Sequence, residues 1–208
     1  MSLEVWIAFA VTSAVLLASP GPTIMIVVSY ALGHGKSSAW ATVPGVALGD
    51  LLAMSISLAG AGAILAASAT MFTILKFAGA AYLIWLGIQL WRSDPQVAEL
   101  QKVGKNTNTK RMFYNSFMVT ALNPKSIVFF IAFVPQFVDP HSPIPVQFSL
   151  LVATFVILAA GNALIWALLA GVMRERFKKP STLRLLNRAG GTFLIGAGLL
   201  TAFARRTA

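Results

Sequence analysis

Residues 5–32 read VWIAFAVTSAVLLASPGPTIMIVVSYAL, with no charged side chain and one interruption, Ser19-Pro20-Gly21-Pro22. A helix needs about 20 apolar residues to cross a hydrocarbon core of about 30 Å. This run is long enough. A helix is the form expected in lipid, because a lone open strand leaves its backbone polar groups unsatisfied. The interruption matters as much as the length. Each proline removes a backbone donor, and its ring clashes with the preceding turn. Gly21 between them adds conformational freedom. The span is therefore expected to kink or unwind in its interior. Unwound backbone at that depth is tolerated only inside protein or beside a water-filled cavity.

Five further runs follow, at 40–67, 71–91, 112–137, 146–173 and 189–204. The last is short unless it begins near Leu183. The composition agrees. Of 208 residues, 57% are hydrophobic and 11% charged, against about 45–50% and 25% in a soluble domain. Too little charge remains to solvate a globule. With no cysteine, disulfide-stapled and zinc-thiolate folds are excluded. The fold class expected is all-α: a polytopic membrane protein of six transmembrane helices. The segment Met1-Ser2-Leu3-Glu4 lacks the basic stretch of a secretory signal, so the first run is expected to remain as a span.

The net charge of +10 would suggest nucleic acid in a soluble protein. Here the basic residues sit mostly between apolar runs, the pattern of charge-directed insertion. Lys36 lies in the first link. Arg92, Lys102, Lys105, Lys110 and Arg111 lie in the third. Arg174, Arg176, Lys178, Lys179, Arg184 and Arg188 lie in the fifth. The second and fourth links carry none. Odd-numbered links are thus expected in the cytoplasm and the N-terminus outside. Arg205 and Arg206 run against the rule. No nucleic-acid partner is expected.

The third link, 93–110, is polar and reads as a linker between halves 1–92 and 111–204 of one transporter domain. The halves resemble each other. Lys76-Phe-Ala-Gly79-Ala-Ala-Tyr82-Leu83 can be laid on Asn187-Arg-Ala-Gly190-Gly-Thr-Phe193-Leu194. Gly49-Asp50 matches Gly161-Asn162, and Pro20-Gly21-Pro22 faces Asn123-Pro124-Lys125. Three is odd, so a repeat of three spans must be inverted. Inverted repeats with interrupted helices are a transporter architecture.

Few side chains inside the spans carry chemistry. Asp50 is the only acid there, about 15 Å deep by helical rise. A charge at such depth costs about 2.5–3.5 kcal/mol on insertion scales. It reads as a proton-coupling or cation-binding acid, or as one member of a structural ion pair. Lys125 lies near the centre of its span, beside Asn123 and Pro124. It can pair with Asp50 or bind a substrate carboxylate. Lys76 is the other candidate partner for Asp50, though it can also snorkel outward. Asn162 reads equally as a substrate contact and as an interhelical hydrogen bond. Gly45, Gly49, Gly79, Gly87 and Gly161 read as close helix contacts. His34 and His141 lie in different links, so no metal site is expected. No phosphate loop or catalytic nucleophile appears, so neither a cofactor nor an enzyme is expected.

These motifs carry a resemblance along essentially the whole chain. Ser19-Pro20-Gly21-Pro22, the Gly45…Gly49-Asp50 stretch, Lys76-x-x-Gly79-Ala80-Ala81-Tyr82-Leu83-x-Trp85-Leu86-Gly87, and Asn123-Pro124-Lys125 with Phe129-Phe130 and Pro135-Gln136-Phe137 resemble the LysE/RhtB family of bacterial amino-acid exporters. The opening Leu3-Glu4 and the Trp85–Trp91 run look most like its homoserine/threonine branch. The resemblance implies a proton-driven, multi-pass exporter in the bacterial inner membrane. Its substrates would be homoserine, homoserine lactone, threonine or a related small amino acid. The expected site holds Pro20, Gly21, Pro22, Asn123, Pro124, Lys125 and Asn162 for the substrate, with Asp50 for the proton. The alternative is a passive channel for small polar solutes. Six spans are few for a transporter, which makes a homodimer a further expectation.

Overall fold

The computed structural model describes residues 1–18, 21–93, 107–139, 142–172 and 180–203. Among these, eight α-helices and two short 3-10 helices occur, and no strand. The helices are α1 (Leu3–Ala18), α2 (Pro22–His34), α3 (Ala39–Ala67), α4 (Ala69–Arg92), α5 (Thr109–Ala121), α6 (Pro124–Ala132), α7 (Ile144–Val172) and α8 (Pro180–Phe203). Expectations resting on Pro20, on linker positions 94–106, and on Arg174, Arg176, Lys178, Lys179, Arg205 and Arg206 lie outside the described residues.

The two proline-bearing runs are broken as their chemistry demands. Pro22 opens α2, where a missing N–H costs nothing, and Gly21 caps it in an extended conformation. α1 and α2 meet at 54°. In the second run, Asn123 caps α6: its Oδ1 accepts from the Lys125 N–H at 3.1 Å, and Pro124 is the first helical residue. The bend there is 42°. Pro44, by contrast, lies inside an unbroken α3.

Three unbroken helices are long and apolar enough to cross a membrane, and five spans result when each bent pair counts as one. α8 covers the expected sixth run but is less uniformly apolar, since Arg184 and Arg188 lie within it. The surface is that of a protein in lipid. Ile56, Ile74 and Ile157 are 64%, 64% and 70% exposed in mid-helix, and no water-facing bundle would tolerate so broad an apolar belt. The molecule is an all-α polytopic membrane protein.

Packing is set by small residues. A Cβ on Gly45 would lie 2.6 Å from the Phe113 carbonyl oxygen, and one on Gly49 2.8 Å from that of Phe117. α3 and α5 therefore run side by side in backbone contact, with both N-termini at the same end. Gly79 backs onto the methyl of Ala132. α4 and α8 cross antiparallel: a Cβ on Gly87 would lie 2.6 Å from the Gly191 carbonyl oxygen, and one on Gly198 2.7 Å from that of Ala80. Between these contacts Leu83 and Leu194 are both buried. Gly161 departs from expectation, since nothing lies within 4 Å of a Cβ placed there. Its spacing from Asn162 copies Gly49-Asp50, but its face of α7 is exposed.

This contrast is testable. Gly87→Leu is expected to drive a branched side chain into the Gly191 backbone and abolish recovery of monodisperse protein in detergent. Overpacking of one or more methylenes costs about 1–3 kcal/mol or more. Gly161→Ala is expected to leave recovery and thermal midpoint unchanged. Size-exclusion profiles of the two variants check both outcomes.

Among the described residues, the basic side chains of the links collect at one end of the bundle. Arg188 stacks over Trp91 at 5.1 Å, and Asn187 donates to the Ser93 hydroxyl at 2.9 Å. This joins the start of α8 to the end of α4. Lys36, Lys110 and Arg111 follow the end of α2 or open α5 at that same basic end. The opposite end carries Glu4 and Asp139. There Gln147 holds the chain before α7 by accepting from the Asp139 N–H at 2.9 Å and donating to its carbonyl at 2.9 Å.

Candidate functional site

The two helix breaks meet at the centre of the bundle. α1 ends in carbonyls that α2 cannot satisfy, because the chain turns away. Two polar side chains from the second half take them. The Lys125 ammonium donates to the Leu16 carbonyl at 3.3 Å, and the Asn162 amide donates to that of Leu17 at 2.9 Å. Thr23, in the first turn of α2, accepts from the Asn123 amide at 3.1 Å and the Thr120 hydroxyl at 3.3 Å. The start of each second helical segment is thus stitched to the other half of the chain.

Leu16, Leu17, Thr23, Asn123, Lys125 and Asn162 line a small cavity of ≈ 20 Å³ together with Asp50 and Ser126, about the room one water molecule needs. Asp50 is buried, and its Oδ1 has no hydrogen-bond donor among the described residues. Asp50 and Lys125 feel each other's charge across the cavity. A buried acceptor without a donor costs about 1–3 kcal/mol, more for a charged group. A substrate ammonium or a proton would supply that donor. A larger hollow, ≈ 540 Å³, opens on the lipid face between α3 and α7. Leu51, Leu58, Phe148 and Val152 line it, with no ionisable group to hold a polar ligand.

Of the residues singled out from the sequence, Gly21, Asp50, Asn123, Lys125 and Asn162 border the cavity. Pro22 and Pro124 shape it by opening the helices beside it. Pro20 lies outside the described residues. Lys76 stands apart on α4, with its ammonium 5.6 Å from the centre of the Phe77 ring, and is not among the cavity's lining residues. Among the described residues, no group of His, Asp or Glu could hold a metal ion. Thr23, Thr120 and the Leu16 and Leu17 carbonyls escaped the sequence reading.

Gly21 offers a fine probe. A Cβ there would stand 3.2 Å from the Lys125 Nζ. That neighbour is the flexible tip of a side chain, so Gly21→Ala is expected to fold normally. It should nevertheless displace the ammonium and reduce transport several-fold, as read by initial export rate against the amount of protein reconstituted.

On one side of the cavity, towards the end opposite the basic one, aromatic rings close the bundle. Phe129 stacks on Phe133 at 5.0 Å, Phe130 meets Phe155 edge-on at 4.8 Å, and Phe9 meets Phe137 at 5.5 Å.

Comparison with known proteins places this geometry. The LysE type translocator family model matches residues 14–205. A homoserine/homoserine lactone efflux protein of Salmonella typhimurium is 35% identical over 205 residues, covering 99% of each chain. An uncharacterized membrane protein of Vibrio cholerae is 33% identical over 99% of this chain and all of its own. A leucine efflux protein of Enterobacter sp. strain 638 is 28% identical over 99% of this chain and 95% of its own. No solved structure matches significantly. A match over nearly the whole chain shows that this protein belongs to the LysE-type translocator family, whose members are transporters and not enzymes.

Proposed function

We propose that the protein is a secondary active exporter of a small amino acid, working by proton antiport in a bacterial inner membrane. The observation that carries this reading is the meeting of two broken helices, an acid and a lysine at one closed central cavity. A zwitterion needs a donor for its carboxylate and an acceptor for its ammonium. Lys125 and the N-terminal amides of α2 supply the first, and Asp50 supplies the second. Binding draws Lys125 away from the Leu16 carbonyl, and release on the far side lets a proton take the ammonium's place on Asp50.

The antiparallel α4–α8 crossing supports two inverted halves. Leu83 and Leu194, matched by the sequence repeat, lie between its paired glycine contacts. The basic end is the cytoplasmic one by the positive-inside rule. The aromatic closure speaks against a passive channel, which needs a continuous polar lining. Thr23, Asn123, Ser126 and Asn162 around the cavity favour a cargo with a polar side chain. Homoserine and threonine are therefore favoured over leucine, in keeping with the name of the 35% identical relative. Efflux of labelled homoserine, homoserine lactone, threonine and leucine from proteoliposomes tests this. Faster export of the hydroxylated amino acids is expected. Export of leucine alone overturns the substrate assignment, and export of none overturns the class.

A further inference from the structure

The two sides of the central cavity are built differently. Towards the basic end, three helices converge: α2, α3 and α5. The seam between α3 and α5 is closed by Gly45 and Gly49 against the α5 backbone. α2 lies across that seam with far fewer close approaches. Met112, Ser116, Thr120 and Asn123 recur at helical spacing and are all buried, so they share one face of α5 and the turn after it. Met112 packs with Tyr30, while Thr120 and Asn123 bond to Thr23. Ser116 sits between them on that face, with its Cβ against Gly45 of α3, at the edge of the seam that α2 covers.

That serine is unusual. Thr12, Ser29, Thr42, Ser149, Thr154 and Thr192 each donate to the carbonyl four residues earlier. The Ser116 hydroxyl is fully buried and has no partner among the described residues. Nearer the basic end, Asn115 donates to the Tyr30 hydroxyl at 2.7 Å. The His34 ring lies edge-on to Tyr30 at 6.2 Å, with both its nitrogens shielded and unpartnered. On α2 the facing stripe is Thr23, Val27, Tyr30 and His34, with Val27 its one apolar member. Apart from Val27 and Met112, the groups named on these two stripes can hydrogen-bond to a passing solute, and they run from the surface towards Asp50. The opposite side holds the aromatic closure.

We infer that cargo and water reach the central site from the basic end, between α2 and the α3–α5 pair, through a polar route that passes His34, Tyr30 and Asn115 and then Ser116. Opening consists of α2 parting from a rigid α3–α5 pair, which breaks the Asn115–Tyr30 hydrogen bond. The inference takes only the nature of the cargo from the proposed function. Its geometry stands on the buried polar groups.

The absence of cysteine makes the test direct, since a single introduced thiol is the only one present. Ser116→Cys would be labelled in reconstituted vesicles with a charged, membrane-impermeant methanethiosulfonate applied to one face at a time. Lys36→Cys marks the basic face and Ser68→Cys the other, so the result is independent of absolute orientation. Ser13→Cys is the control: Ser13 is an equally buried, unpartnered hydroxyl on α1. Ser116→Cys is expected to react at least about tenfold faster from the basic face than from the other. It is also expected to react faster than Ser13→Cys from that same basic face. Ser116→Cys unreactive from both faces, or faster from the Ser68 face, overturns the inference. Should that variant fail to fold, Asn115→Cys carries the same test with the same two outcomes. Because the readout is labelling, failure to export any amino acid tried would leave this result interpretable.

Discussion

Asp50→Asn is expected to abolish gradient-driven export while leaving the fold intact. The change is isosteric, so packing against Val46 and the neighbouring cavity wall is retained. What disappears is the charge and the exchangeable proton. Among the described residues no other acid borders the cavity, so none of them can take over. Removing one partner of a buried charge pair commonly costs about 3–5 kcal/mol. Here Lys125 keeps its bond to the Leu16 carbonyl, which holds the structural penalty below that range. Export should fall to the level of empty vesicles, while yield and elution volume stay those of the unmodified protein. Loss of export together with loss of folded protein would instead assign Asp50 a structural role.

Lys125→Met is expected to weaken substrate binding roughly 10- to 100-fold, which corresponds to the about 1.5–3 kcal/mol typical of a hydrogen bond to a charged group. Methionine keeps the length and the stem packing but cannot donate to a carboxylate. The effect should appear chiefly as a raised KM, because the lysine meets a group present in bound substrate throughout. The pair can also be examined together. If Asp50 and Lys125 act as one unit, the double variant should be no worse than Asp50→Asn alone, because coupled residues do not add. Lys76→Met serves as the contrast and is expected to change KM little, since its ammonium lies over Phe77 away from the cavity.

The polar centre was legible in the sequence for one physical reason. Lipid makes every intramembrane charge and every proline conspicuous, because each has a cost that something must offset. Asp50, Lys125 and the breaks before Pro22 and Pro124 stood out on that ground alone. Asn162 stood out only through the repeat. The hydroxyl groups were not legible. Serine and threonine can always bond back along their own helix, so Thr23 and Thr120 carry no mark in the sequence that separates them from Thr12 or Ser29. Backbone carbonyls such as Leu16 and Leu17 carry none at all. Glycine spacing misled at Gly161, because the same pattern occurs on exposed helix faces that pack against no other helix of the chain. The last span was hard to read because Arg184 and Arg188 lie inside the helix and not before it.

Coupling between a proton and an amino acid at one cavity is tested most directly by concentrative transport. Proteoliposomes would receive labelled homoserine at equal concentration on both sides, followed by an imposed pH difference of one unit. One proton exchanged per substrate supplies about 1.4 kcal/mol, enough for roughly tenfold accumulation. Accumulation approaching that value is expected with the unmodified protein, with collapse on adding a protonophore and none with Asp50→Asn. Equal concentrations that persist despite the gradient, with label still exchanging freely across the membrane, would contradict it.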